Sequence, residues 1–216
     1  PEQAMKLYSY YRSTAAYRVR IALNLKDLGY DHVAVNLLQG EHKTASYLER
    51  NPQGLVPAVE SDTGEIIAQS LAILEWLEET HPARPLLPAD PLARARVRSM
   101  AGNIACDVHP LNNVSVLNYL KGELAATEQQ VHDWYCHWVT RGFDAIERTL
   151  ASTSGKFCFG DQATLADVCL IPQVFNADRF QVPTDAYPTI RRVNDHCLSL
   201  DAFSGAQPAA QPDAEG

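Results

Sequence analysis

Arg12-Ser13-Thr14 stands where a short run, "KLYSY", hands over at once to an apolar-periodic segment, "AAYRVRIALNLK". Two hydroxyls at that junction suit helix capping, because Ser and Thr oxygens accept hydrogen bonds from the N–H groups of a first turn. They also suit an anion. About four backbone N–H groups lack partners at a helix start, and the dipole places roughly half a positive charge there. The stretch "NPQGLVPAVESDTGEIIAQSLAIL" (51–74) repeats the pattern. Gln69-Ser70 opens a second helix-like segment, and Val56-Pro57 heads a strand, where proline is tolerated at an edge or bend. A cis bond there is expected to leave the Val56 N–H and C=O open to a peptide-like ligand. Each feature alone is compatible with ordinary caps and turns. Together, two helix N-termini and a bent strand edge suit an extended, carboxylate-bearing peptide.

The elements that must position these residues follow from periodicity. Residues 6–10 read as a strand, and 15–28 as a helix with Tyr17, Ile21, Leu25 and Leu28 on one face and a polar stripe of Arg20, Asn24 and Asp27. A β-branched strand is expected at 32–37 and a weaker helix at about 43–49. A hairpin follows, turning at Asp62-Thr63-Gly64. The helix after Ser70 is apolar on nearly every side and so packs on more than one face. This order, βαβ–α–ββα, predicts a small mixed-sheet α/β domain over 1–83, with a thioredoxin-like fold as the leading candidate. "HPARPLLPADP" holds four prolines and reads as a linker, placed at 84–91. Strand signals vanish beyond it, so 92–216 is expected to be an all-helical, substrate-binding domain with a loose tail from 204. Within it, 92–121 reads as a helix interrupted at Pro110, and 128–151 as a long helix with Val131, Tyr135, Trp138, Phe143, Ile146 and Leu150 inward.

Bulk properties narrow the function. The chain has 216 residues, 46% of them hydrophobic, and a formal net charge of −8. That balance argues against nucleic acid or an anionic membrane surface as partner, since both need clustered Lys and Arg. No apolar run is long enough to span a bilayer, and no leader pattern opens the sequence. Five cysteines without C-x-x-C spacing read as reduced thiols in a cytoplasmic protein. Cys106-x-x-His109 lacks the second pair of a metal site, so no metal is expected. Thr164 with Asp167 reads as a structural capping box. Trp134 and Trp138 read as core, and Arg94, Arg96 and Arg98 as a solvated or dimer-facing surface.

The ordered motifs "SYYRSTAAYRVRIAL", "NPQGLVPAV", "QSLAILEWLEE", "LLPADP", "GDQATLADVCLIPQV" and "YPTI" resemble the zeta class of glutathione transferases, the class containing the maleylacetoacetate and maleylpyruvate isomerases. The likeness runs from about residue 6 to 213. It implies a thioredoxin-like domain, a helical domain, glutathione as cofactor and a homodimer. By the same resemblance, Ser13 donates a hydrogen bond to the glutathione thiolate with Thr14 beside it. His42 and Val56 meet the glycyl end and the cysteinyl backbone, and Gln69 and Ser70 the γ-glutamyl carboxylate. His109, Asn113 and Ser115 line the site from the helical domain, and Arg12 and Arg179 face a small diacid keto substrate. One position departs from the class: where its motif carries Cys, this chain has Ala15. Any nucleophilic thiol at that turn must then come from glutathione. The resemblance implies isomerisation of maleylacetoacetate or maleylpyruvate, with conjugation or dehalogenation of α-halo acids, or a binding module without turnover, as alternatives.

Overall fold

The computed structural model describes residues 5–214. Residues 1–4 of the expected first domain and 215–216 of the expected tail lie outside them. The chain divides into one unit over Pro1–Leu86 and Ser199–Gly216 and another over Leu87–Leu198.

In the first unit the order is β1 (Lys6–Ser9), α1 (Thr14–Lys26), β2 (Asp31–Ala34), a 3-10 turn (Glu41–Lys43), α2 (Ala45–Leu48), β3 (Ala58–Glu60), β4 (Ile66–Ala68) and α3 (Ser70–Thr80). The sheet order is β2-β1-β3-β4. β1 runs parallel to β2 and antiparallel to β3, which runs antiparallel to β4. This is the mixed-sheet, thioredoxin-like unit expected from the sequence. Leu7, Ile21, Leu23, Val59, Ile73 and Leu77 form its fully buried centre. β2 stops three residues short of the expected end. Asn36 Oδ1 accepts from the N–H groups of Leu38 and Gln39, an Asx turn that diverts the chain from the ladder.

Two of the three residues in the polar stripe of α1 are covered by the chain end: Arg20 is fully buried and Asn24 half-buried, while Asp27, at the helix C-cap, is exposed. Asn24 Nδ2 donates to Ala202 O and Arg20 Nε to Ala206 O, both at 3.0 Å. Tyr17 Oη lies 3.4 Å from Phe203 O. Helix α9 (Asp201–Ser204) and the turn after it therefore pack on the α/β unit. The sequence reading assigns 92–216 to the helical domain, with a loose tail from 204. Tail composition hid this, because the attachment runs through backbone carbonyls, which any residue supplies. The approach to the linker is anchored too. Lys26 Nζ meets Glu78 at 2.5 Å and donates to the carbonyls of His81 and Arg84.

The second unit is helical: α4 (Pro91–Gly102), α5 (Val114–Gly122), α6 (Glu128–Thr153), α7 (Leu165–Arg179) and α8 (Pro188–Leu198). The break expected at Pro110 begins earlier, in a π-helical turn at Asn103–Val108 followed by a 3-10 turn at His109–Asn112. Gly142 of α6 admits that turn: a Cβ there would stand 2.2 Å from Val108 Cγ2. Val139, rather than Trp138, joins Phe143 and Leu150 among the fully buried positions of α6. Trp134 and Trp138 are half-buried and stack edge-on with centroids 5.7 Å apart. Asp167 is the structural cap expected. It accepts from Thr164 N–H and Oγ1 and, 9 residues back, from Cys158 N–H.

Candidate active site

The sheet register gathers most of the candidate residues. Ser9 pairs with Ala34, Tyr8 with Ala58, and Ala58 with Ala68. The turn after β1, the loop after β2, the lead-in to β3 and the exit from β4 therefore leave the sheet at one end. Those four segments carry Arg12-Ser13-Thr14, His42, Val56 and Gln69-Ser70. An α/β sheet binds ligands beyond such strand ends, where helix N-termini also collect.

Ser13 is the N-cap of α1, extended at φ −68°, ψ 114°, and its Oγ accepts from Ala16 N–H at 3.2 Å. A hydroxyl that accepts this way keeps its own proton to donate outward. Ser13 is half-buried, whereas Thr14 is only 5% exposed. Exposure thus favours Ser13 as the hydroxyl that reaches a ligand. The turn holds no thiol, since Ala15 and Ala16 follow. Elsewhere, burial pushes the thiols of Cys136, Cys158 and Cys197 up, so these side chains are protonated at neutral pH.

Val56-Pro57 is cis, as expected. Among the described residues the Val56 N–H and C=O have no hydrogen-bond partner, since ladder pairing begins at Ala58. The loop before it is pinned through one carbonyl: Leu55 O accepts from Tyr47 Oη at 2.7 Å and Asn51 Nδ2 at 2.8 Å. Gly54, at φ +61°, lets the chain pass 3.1 Å from His42 O as measured from an added Cβ. His42 itself is half-buried, and its Nδ1 is buried without a hydrogen-bond partner. Burial first, then the Lys43 charge, lowers its pKa.

At the β4 exit, Gln69 adopts φ 71°, ψ 118°, a conformation few non-glycine residues take. Such backbone costs about 1–3 kcal/mol and clusters at functional sites. Gln69 is exposed and donates through Nε2 to Gln53 Oε1 at 2.8 Å. Ser70, the first residue of α3, is 6% exposed. Its Oγ accepts from Arg18 Nη1 at 3.1 Å, so its proton is directed elsewhere. Arg18 is 1% exposed. A buried guanidinium beneath a helix N-terminus strengthens the local positive field. Sequence reasoning missed Arg18 and Gln53; a cation on the inner face of an otherwise apolar helix was the available signal for the first.

The remaining candidates belong to the helical unit. His109 is half-buried on the 3-10 turn. Asn113 caps α5, its Oδ1 accepting from both Ser115 N–H and Ser115 Oγ at 2.9 Å. Arg179 ends α7, where a cation also complements the helix dipole. Its guanidinium lies over Phe180, which stacks on Tyr135. Arg12 lies likewise over Tyr11 at 4.9 Å. Both arginines are exposed, and neither has a carboxylate partner among the described residues.

Family comparison decides the lineage of these features. Residues 7–85 match the N-terminal domain of glutathione S-transferases, and residues 139–197 match the C-terminal domain. The chain belongs to the glutathione S-transferase family. This transferase-family chain is 52% identical over 211 residues to the maleylacetoacetate isomerase of Pseudomonas aeruginosa, covering 97% of this chain and 98% of that one. Holo maleylpyruvate isomerase, a bacterial zeta-class glutathione S-transferase, shares its fold with a TM-score of 0.95 and 47% identity, over 97% of this chain and 100% of the other. The maleylacetoacetate isomerase of Methylobacterium extorquens AM1, solved with malonate and glutathione bound, matches with a TM-score of 0.93 and 41% identity, over 98% and 100% of the two chains. The zeta-class likeness of the transferase motifs is thus carried by whole-chain similarity in sequence and fold.

Proposed function

We propose that this chain is a glutathione-dependent cis–trans isomerase of maleyl-substituted keto diacids, acting in the cytoplasm as a homodimer during breakdown of aromatic compounds. The observation that carries the reading is the Ser13 turn: a capping hydroxyl with a proton to donate, at a helix N-terminus, with alanine where the class has cysteine. Relatives bearing the names maleylacetoacetate isomerase and maleylpyruvate isomerase support it, and both substrates remain in play.

The residues present fit glutathione. The unpartnered Val56 N–H and C=O suit a peptide backbone, and the buried, unpartnered Nδ1 of His42 suits its glycyl end. Ser70 over Arg18, with Gln69, suits the γ-glutamyl carboxylate. When bound, glutathione would supply a thiolate that adds to the cis alkene, freeing rotation before elimination returns the trans product and the thiolate. The protein's task is to favour the anion. A thiol of pKa near ~8.5 is mostly protonated at neutral pH, and lowering it by about two units takes roughly 2.7 kcal/mol. A hydroxyl donating to a charged group gives about 1.5–3 kcal/mol, and the helix N-terminus about 0.3–1. Ser13 and α1 suffice. Arg12 and Arg179 are proposed to bind the substrate carboxylates, with His109, Asn113 and Ser115 lining the site from the helical unit.

Retention on immobilised glutathione followed by an isomerase assay tests the reading. Retention with cis–trans turnover is the expected result. Retention with consumption of free thiol on an α-halo acid points instead to conjugation, and retention without either to a binding module.

A further inference from the structure

The end of the chain reaches the turn that carries Ser13. Asp213 Oδ2 accepts from Tyr11 N–H at 2.9 Å, while Oδ1 lies 3.0 Å from His32 Nε2. The second contact lacks hydrogen-bond alignment and is an ion pair only when His32 is protonated. Both side chains are well covered, His32 at 12% exposed and Asp213 at 13%. On the other side of the same residue, Arg20 Nη2 donates to Tyr11 O at 3.1 Å, Nη1 to Ser9 Oγ at 3.2 Å, and Nε to the tail carbonyl of Ala206 at 3.0 Å. Burial lowers the Arg20 pKa to about 10, which still leaves the group charged at neutral pH. Tyr11 is therefore held at both its N–H and its C=O. The next link is short: Ser13 N–H donates to Tyr10 O at 2.8 Å, closing the turn that aims Ser13.

We infer that Asp213 is a positioning residue for Ser13, acting through the Tyr11 N–H in concert with Arg20. The inference rests on the proposed role of Ser13, but the clamp itself is formed by the chain's own residues. It gives the C-terminal segment a part in the site without touching a ligand. Misplacing a catalytic group by about 1 Å costs on the order of a hundredfold in rate, so a clamp two residues away is worth keeping. The charge-assisted bond from Tyr11 N–H is of the stronger kind. An amide oxygen at position 213 preserves the acceptor and loses only the charge.

The test compares Asp213→Ala and Asp213→Asn with the native chain by amide hydrogen exchange over residues 9–17, by titration of the bound glutathione thiol, and by kinetics. Asp213→Ala is expected to speed exchange at Tyr11 and Ser13 at least tenfold and to raise the thiol pKa. It should lower kcat roughly ten- to a hundredfold, with the glutathione Kd within about twofold. Asp213→Asn is expected to recover most of each. Unchanged exchange in Asp213→Ala would overturn the clamp. Faster exchange with native thiol pKa and kcat would overturn the positioning role and leave the tail a structural strap. Absence of isomerase activity in the native chain tells against the proposed function instead; the exchange and thiol measurements still decide the inference.

Discussion

At Ser13 one oxygen serves two purposes, accepting from Ala16 N–H to start α1 while its proton stays free for an anion. The resemblance assigns the thiolate to Ser13 with Thr14 beside it, and burial favours the same choice: Thr14 is 5% exposed and Ser13 is half-buried. Ser13→Ala should therefore raise the pKa of bound glutathione by roughly one to two units, the equivalent of about 1.5–3 kcal/mol, while Thr14→Ala shifts it little. Thiolate absorbance against pH reads both variants, and the reverse order would transfer the role to Thr14. Gln69 offers a test of opposite signs. Its φ of 71° suits glycine better than glutamine. Gln69→Gly should stabilise the fold by about 1 kcal/mol in chemical denaturation yet weaken glutathione binding in calorimetry. A variant that loses stability would show that the Gln69 side chain, not its backbone, sets the local energy.

Among the elements, the buried pair of Lys26 and Glu78 ties α1 to α3, and Lys26 also holds two carbonyls on the way to the linker. Lys26→Met leaves Glu78 buried without its cation and should cost about 3–5 kcal/mol, measured as a lower denaturation midpoint. His32 on β2 adds a pH signature. Burial lowers its pKa below 6.5 against the opposing pull of Asp213. The folded chain then binds fewer protons than the unfolded chain in acid, so this contribution is present above about pH 6.5 and is lost as pH falls through the lowered value. Denaturation midpoints from pH 7.5 to 5 should drop less steeply in His32→Asn than in the native chain; parallel slopes would contradict this. These cases also mark what the sequence could reveal. Helical and alternating periods exposed the sheet, the long α6 and the capping box of Thr164 and Asp167, because those patterns are local. The fate of Arg18, Arg20 and Asp213 was hidden, because a buried cation or a tail carboxylate is explained only by partners far along the chain. The Asx turn at Asn36, which shortened β2, was local but was masked by the β-branched run "HVAV" before it. Ser13, Val56 and Gln69-Ser70 were legible as separate motifs, while their shared sheet end needed the strand register.

The whole molecule carries a formal charge of −8, yet the proposed substrate is a dianion. Local cations must offset that repulsion, and Arg12 and Arg179 are exposed without acidic partners among the described residues. Arginine forks bind carboxylates through paired hydrogen bonds. Removing one such contact costs about 1.5–3 kcal/mol, so Arg179→Ala should lose roughly ten- to more than a hundredfold in kcat/KM while the glutathione Kd holds. Equal losses in both would make Arg179 a scaffold residue that does no more than stack on Phe180 and close α7. No helix of the described residues is long and apolar enough to cross a membrane. The central claim is that the nucleophile is borrowed and returned. Dialysed protein should therefore be inactive toward a maleyl keto acid, and glutathione at about one hundredth of the substrate concentration should drive the reaction to completion with free thiol undiminished. Turnover without added glutathione, or thiol lost in step with product, would contradict it.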